Sequence, residues 1–153
     1  MRFLLASLLL VGTVTSLGTL QSIRIIGTLL CNDKPAVGIH TTLINKEFGR
    51  GDYNRLDEAF TNDDGYFELA GNDTEITNID PFVNIYHKCE IDSFPTYKTT
   101  EQFLLPNCKR RLELIIPDSY ITMGGTPNKT FDVGTINLAM WFVGEKARCI
   151  NEP

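Results

Sequence analysis

The chain is short of the residues that most catalytic and metal sites use. Its 153 residues include two histidines, four cysteines and one tryptophan. No Cys-x-x-Cys or His-x-x-x-His spacing occurs, so neither a zinc site nor any other metal or cofactor is expected. Beyond the first eleven residues no apolar run approaches the ~20 residues that span a bilayer. The polar ending Arg148 to Pro153 does not suit a lipid-anchor signal, so no transmembrane or lipid anchor is expected. From Ile23 onward there is no sustained 3.6-residue periodicity, no internal repeat and no low-complexity tract. Basic charge is also scarce, with 14 Lys and Arg against 19 Asp and Glu. That balance argues against a nucleic-acid partner and against unaided docking on anionic lipid, which a local basic cluster or bridging calcium could still achieve. The one basic cluster, Lys109-Arg110-Arg111, reads as the solvated start of a strand.

What is present points to export. Arg2 supplies a positive start, Phe3 to Val11 an apolar stretch, and Ser16-Leu17-Gly18 small residues at a cleavage position. Residues 1–18 therefore read as a signal peptide, which makes the protein secreted and extracellular. Residues 19–153 form one domain large enough to bury its own core, with 13 basic residues left against 19 acidic. Four cysteines in an exported chain imply two disulfides. Of the three pairings, placement at strand ends favours Cys31 with Cys149 and Cys89 with Cys108.

The mature sequence consists of short β-branched or aromatic runs separated by Gly, Pro, Asn and Asp, which predicts an all-β two-sheet sandwich. Ile23, Ile25, Gly27, Leu29 and Cys31 share one face of a first strand, while Ile26 and Leu30 suggest burial of the other. A second strand runs from Gly38 to Asn45, and a third, near Arg55 to Thr61, is expected to bury Leu56 and Phe60. Asn62-Asp63-Asp64-Gly65 tolerates positive φ and predicts a hairpin; its acidic residues lack the full spacing of a calcium loop. Pro81 to Cys89 reads as a central strand, Arg111 to Ile116 as another, and Phe131 to Trp141 as the last. A short helical turn is expected around Thr100 to Leu105.

Several segments together resemble the nematode transthyretin-like family. They are Gly27-Thr28-Leu29-Leu30-Cys31 with Lys34-Pro35-Ala36, Thr61 through Gly71, Asp80-Pro81, Ile85 through Cys89, Ile116-Pro117, Asp132 through Leu138, and Glu145-Lys146-Ala147-Arg148-Cys149. The resemblance implies a secreted prealbumin-like, immunoglobulin-like sandwich of seven or eight strands. It implies less about activity, although a few members are thought to bridge phosphatidylserine on dying cells and a phagocyte receptor. Transthyretin's enzymatic relatives hydrolyse 5-hydroxyisourate and end in Tyr-Arg-Gly-Ser, whereas this chain ends in Ile150-Asn151-Glu152-Pro153. No catalytic residue is therefore expected. His87, on a strand face with Val83, Ile85 and Cys89, reads as a partly buried, hydrogen-bonded structural residue, and His40 as an exposed strand residue.

The expected function is extracellular binding or signalling, with a cell-surface protein or a lipid as ligand; the alternative is a carrier of a small apolar ligand. Recognition is expected in loops at 46–54, 71–80, 90–107 and 118–130, with Tyr120 and Met123 as first-choice contacts. The sequons Asn72-Asp73-Thr74 and Asn128-Lys129-Thr130 are expected to lie in loops and to carry glycans at Asn72 and Asn128.

Overall fold

The computed structural model describes residues 18–47, 49, 51–93 and 108–149. Nearly all of the expected leader and the helical turn expected at 100–105 lie outside the described residues. Among the described residues ten strands follow in chain order: β1 (Thr19–Cys31), β2 (Lys34–Pro35), β3 (His40–Lys46), β4 (Tyr53–Phe60), β5 (Tyr66–Glu75), β6 (Pro81–His87), β7 (Cys108–Ile115), β8 (Thr122–Met123), β9 (Phe131–Asn137) and β10 (Lys146–Cys149).

The strands form two five-stranded sheets. In the first, β1 pairs antiparallel with β2, β5 and β8, and parallel with β9. The second has the order β10-β7-β6-β3-β4 and is antiparallel throughout, with β6 central as the sequence predicts. The two-residue period of a strand sends alternate side chains to opposite faces, and this fills the space between the sheets. Ile23, Ile25, Leu29, Phe67 and Leu69 of the first sheet meet Leu43, Val83, Ile85 and Leu112 of the second, and each is 3% exposed or less. Burying such a side chain is worth about 1.5–3 kcal/mol. The sheets approach closely where Gly71 faces Leu56: a Cβ added at Gly71 would stand 2.6 Å from that of Leu56.

Four expectations are corrected. The turn at Asn62 to Gly65 forms, with Gly65 at φ 75° and its N–H donating to the Asn62 carbonyl. It does not close a hairpin, because β4 pairs with β3 while β5 crosses to the other sheet and pairs with β1. Turn chemistry fixes a reversal of direction, not the sheet to which the next strand is added. Phe60 is 65% exposed on the outer face, since β4 carries a register shift between its partners Leu43 and Ile44 and turns Ala59, the partner of Thr41, inward instead. The last expected strand stops at Asn137, and β10 follows separately after a tight loop.

The fourth correction concerns the cysteines. Cys31 is bonded to Cys89, with a Cα–Cα distance of 5.8 Å, in place of the expected Cys31–Cys149 and Cys89–Cys108 pairs. Both residues lie at strand ends at the same edge of the sandwich, where the end of β1 meets the residues just after β6. Cys108 is itself disulfide-bonded, and in the β7–β10 ladder it lies directly opposite Cys149.

Candidate functional site

Two polar constructions stand out, one inside the sandwich and one on its outer face. The inner one is built on Arg110. On β7 this residue has the same inward parity as Cys108 and Leu112, so the strand carries a guanidinium into the core at 0% exposure. Its expected place in a solvated basic strand start is therefore wrong. Nε and Nη2 hold the two carboxylate oxygens of Glu145 at 2.7 and 2.8 Å, a bidentate pair. Nη1 donates to the carbonyls of Cys89 and Leu138, and Nη2 also to that of Met140.

This guanidinium thus ties β7, the disulfide-bonded end of β6 and the β9–β10 loop together. Glu145 closes that loop from the other side by accepting the Phe142 N–H at 3.2 Å. Asn137 Oδ1 accepts the N–H groups of Asn32 and Ala139, which joins the loop to the turn after β1. A loop gripped in this way displays apolar side chains to water: Met140 is 61% exposed, Trp141 56% and Val143 fully.

His87 completes the buried group. Its ring is fully buried, and Nε2 stands 3.2 Å from Glu145 Oε1. Desolvation is the largest influence on its charge. Burial, reinforced by the Arg110 charge and opposed by that of Glu145, lowers its pKa to about 4 and keeps it neutral. The side chains of His87, Arg110 and Glu145 have no solvent exposure, so this trio is an internal strut and is out of reach of a substrate. His87 is structural as expected, but fully rather than partly buried.

The outer construction covers the exposed face of the β10-β7-β6-β3-β4 sheet. His40 and Tyr86, register partners on β3 and β6, stack at 5.7 Å, and Phe60 stacks on the other side of His40 at 4.9 Å. His40 is half-buried, not freely exposed, and its Nε2 meets Glu58, which Arg55 also holds. Beside this row an open cleft of about 540 Å³ is lined by His40, Thr42, Ile44, Arg55, Tyr86, Lys109 and Arg148. Thr42 and its register partner Asn84 are each 5% exposed, and among the described residues the Thr42 hydroxyl and the Asn84 Oδ1 are without hydrogen-bond partners. Lys109 and Arg148 are cross-strand partners on the same face.

The structure separates the two residues expected as contacts. Tyr120 is half-buried, packs on the core and tilts against Phe131 at 4.8 Å, whereas Met123 is 64% exposed on β8. Asn72 is exposed but lies on β5, not in a loop. Asn128 is exposed in the β8–β9 loop, its Oδ1 accepting the Thr122 hydroxyl at 2.8 Å. Sequence reasoning missed Arg110, Glu145 and Thr42. Strand parity was the available signal for Arg110, because it alternates in phase with Leu112 and Leu114. Nothing local marks Glu145 or Thr42.

Residues 26–117 match the transthyretin-like family. Over 151 residues, 99% of this chain and all of the relative, the sequence is 34% identical to transthyretin-like protein 5 of Caenorhabditis elegans. It is 34% identical to transthyretin-like protein 2 of the same organism, covering 98% of this chain and 99% of that one. With transthyretin-like protein 46 the identity is 36%, over 82% of this chain and 64% of the relative. Among solved structures, a 9R-lipoxygenase from Cyanothece aligns with 78% of this chain and 17% of its own at a TM-score of 0.39 and 19% identity, too loose a likeness to argue from.

Proposed function

The chain belongs to the transthyretin-like family, and from that premise we propose that it is a secreted extracellular binding protein, an adaptor that presents a rigid apolar tip to the lipid of a cell surface. Export rests on the leader read in residues 1–18. The observation that carries the binding reading is the β9–β10 loop. Met140, Trp141 and Val143 project into water from a backbone held by a fully buried Arg110. A loop ordered before contact loses little conformational freedom on binding, and an exposed indole is suited to the headgroup region of a bilayer. Lys146 follows on β10 and faces outward, a positive charge worth about 1 kcal/mol near an anionic surface.

Trp141 is the only tryptophan, so its fluorescence reports on the tip directly. The emission should shift to the blue when the secreted protein meets phosphatidylcholine vesicles containing phosphatidylserine, and should not shift with phosphatidylcholine alone. Met140→Ser with Val143→Ser should abolish the shift and leave the β circular dichroism unchanged. An unshifted emission on anionic vesicles, or a shift that survives the double substitution, overturns the reading. The protein recovered from medium should begin at Thr19.

A further inference from the structure

We propose that the outer cleft of the second sheet is a binding site for a small organic anion: a planar or apolar body bearing a carboxylate, sulfonate or phosphate at one end and a hydrogen-bond donor at the other. Met140, Trp141 and Val143 do not line this cleft, so the site stands apart from the adaptor reading.

The floor supplies the first argument. Thr42 and Asn84 sit in register on adjacent strands, each 5% exposed, yet the Thr42 hydroxyl and the Asn84 Oδ1 have no partner among the described residues. Strand residues that face outward normally satisfy such groups with water or with each other, and an unpaired buried polar atom costs about 1–3 kcal/mol. Thr42 lines the cleft directly. A threonine hydroxyl both donates and accepts, so this floor is complementary to a hydroxyl or amine N–H on the ligand.

The rim supplies the second. Arg55 and His40 already hold Glu58. Lys109 and Arg148 stand side by side across the β7–β10 ladder with no carboxylate partner among the described residues. The chain as a whole is acidic, at net −5, so two adjacent cations are a local reversal of charge. Between floor and rim, Tyr86 and Ile44 are half-buried and offer apolar surface. The volume of about 540 Å³ lies within the range of small-molecule sites and suits a molecule of one or two rings.

The test uses 8-anilinonaphthalene-1-sulfonate, which has a sulfonate, a fused ring and an amine N–H. Titrated into the full mature protein, it should bind at one saturable site. Lys109→Gln with Arg148→Gln should weaken binding at least tenfold, and the near-isosteric Thr42→Val several-fold, with circular dichroism unchanged. Met140→Ser with Val143→Ser should leave it untouched, which separates this site from the apolar tip. Two competitors then identify the source of the anion. Displacement by 4-hydroxybenzoate alone assigns a free organic acid, and displacement by dihexanoylphosphatidylserine alone assigns a lipid headgroup. Absence of saturable binding, displacement by neither competitor, or binding lost on changing the tip but not the rim overturns the proposal. If the rim variant misfolds, Thr42→Val decides alone: equal affinity for the probe removes the floor from the site and the proposal with it.

Discussion

The buried guanidinium on β7 and the shaded hydroxyl on β3 are both polar groups where a sandwich would tolerate apolar ones, and they are treated oppositely. Arg110 spends its donors on a carboxylate and three carbonyls. Thr42 and Asn84 are left short on the other side of the same sheet. Desolvation is expensive in both places. Where it is fully compensated, the group fixes the backbone and becomes part of the scaffold. Where it is not, the missing partner points to something that arrives from outside.

The largest effect should come from breaking the compensated side. Arg110→Met removes the partner of a buried carboxylate, and the loss should be about 3–5 kcal/mol, read as a fall in urea midpoint. Arg110→Met combined with Glu145→Leu should recover much of that, because the pair's removal leaves no stranded charge. The disulfide next to this hub is expected to matter almost as much. Opening the 58-residue Cys31–Cys89 loop with a double alanine replacement should cost about 4 kcal/mol by chain entropy. A non-reducing peptide map should recover Cys31 with Cys89 and, as the second bridge, Cys108 with Cys149.

Acid sharpens the comparison next. The unfolded chain protonates His87 near pH 6.5, but the folded one does so only at about 4. Unfolding therefore takes up a proton between these values, so stability falls as pH drops from 6.5 to 4 and is indifferent to this group above that window. The His87 contribution should amount to about 3 kcal/mol in urea titrations across that range, and His87→Phe should flatten it. Smaller still is the split between the two residues first expected as contacts. Tyr120→Ser should cost about 2–3 kcal/mol through lost packing on Phe131, and Met123→Ser less than about 0.5 kcal/mol. Equal costs would mean that the 118–130 segment packs differently.

Much of this fold was legible because strands announce themselves by alternation. Ile23, Ile25 and Leu29, or Val83 and Ile85, point inward as the sequence order requires. Turn chemistry was equally readable at Asn62 to Gly65, yet the sheet that β5 joins depends on pairing with a strand some 40 residues earlier in the chain. The cysteine pairing failed for the same reason. Sequence placement identified strand ends but not which ends lie at one edge of the sandwich. The cleft was the least accessible, since its residues come from five strands and only the assembled face brings them together. Lys109-Arg110-Arg111 shows the limit of reading charge by composition. Three adjacent cations look alike in a string, but the pleat sends the middle one into the core.

The parallel pairing of β9 with β1 fixes an order of assembly. Strands β3, β4, β6 and β7 can zip together while the chain is still being delivered, since each pairs with a strand at most two positions away in that series. In the first sheet β1 can pair early with β2 and β5, but its other edge cannot close. Residues 25–30 must wait for 131–137, over a hundred positions later, and contacts of that separation are the slow ones to form. Until they do, β1 carries an unpaired edge of Ile, Leu and Thr with a strong tendency to find another chain. Kinetic trapping at high expression should therefore arise from this strand, and refolding yield should depend more steeply on protein concentration than the stability of the finished sandwich would suggest.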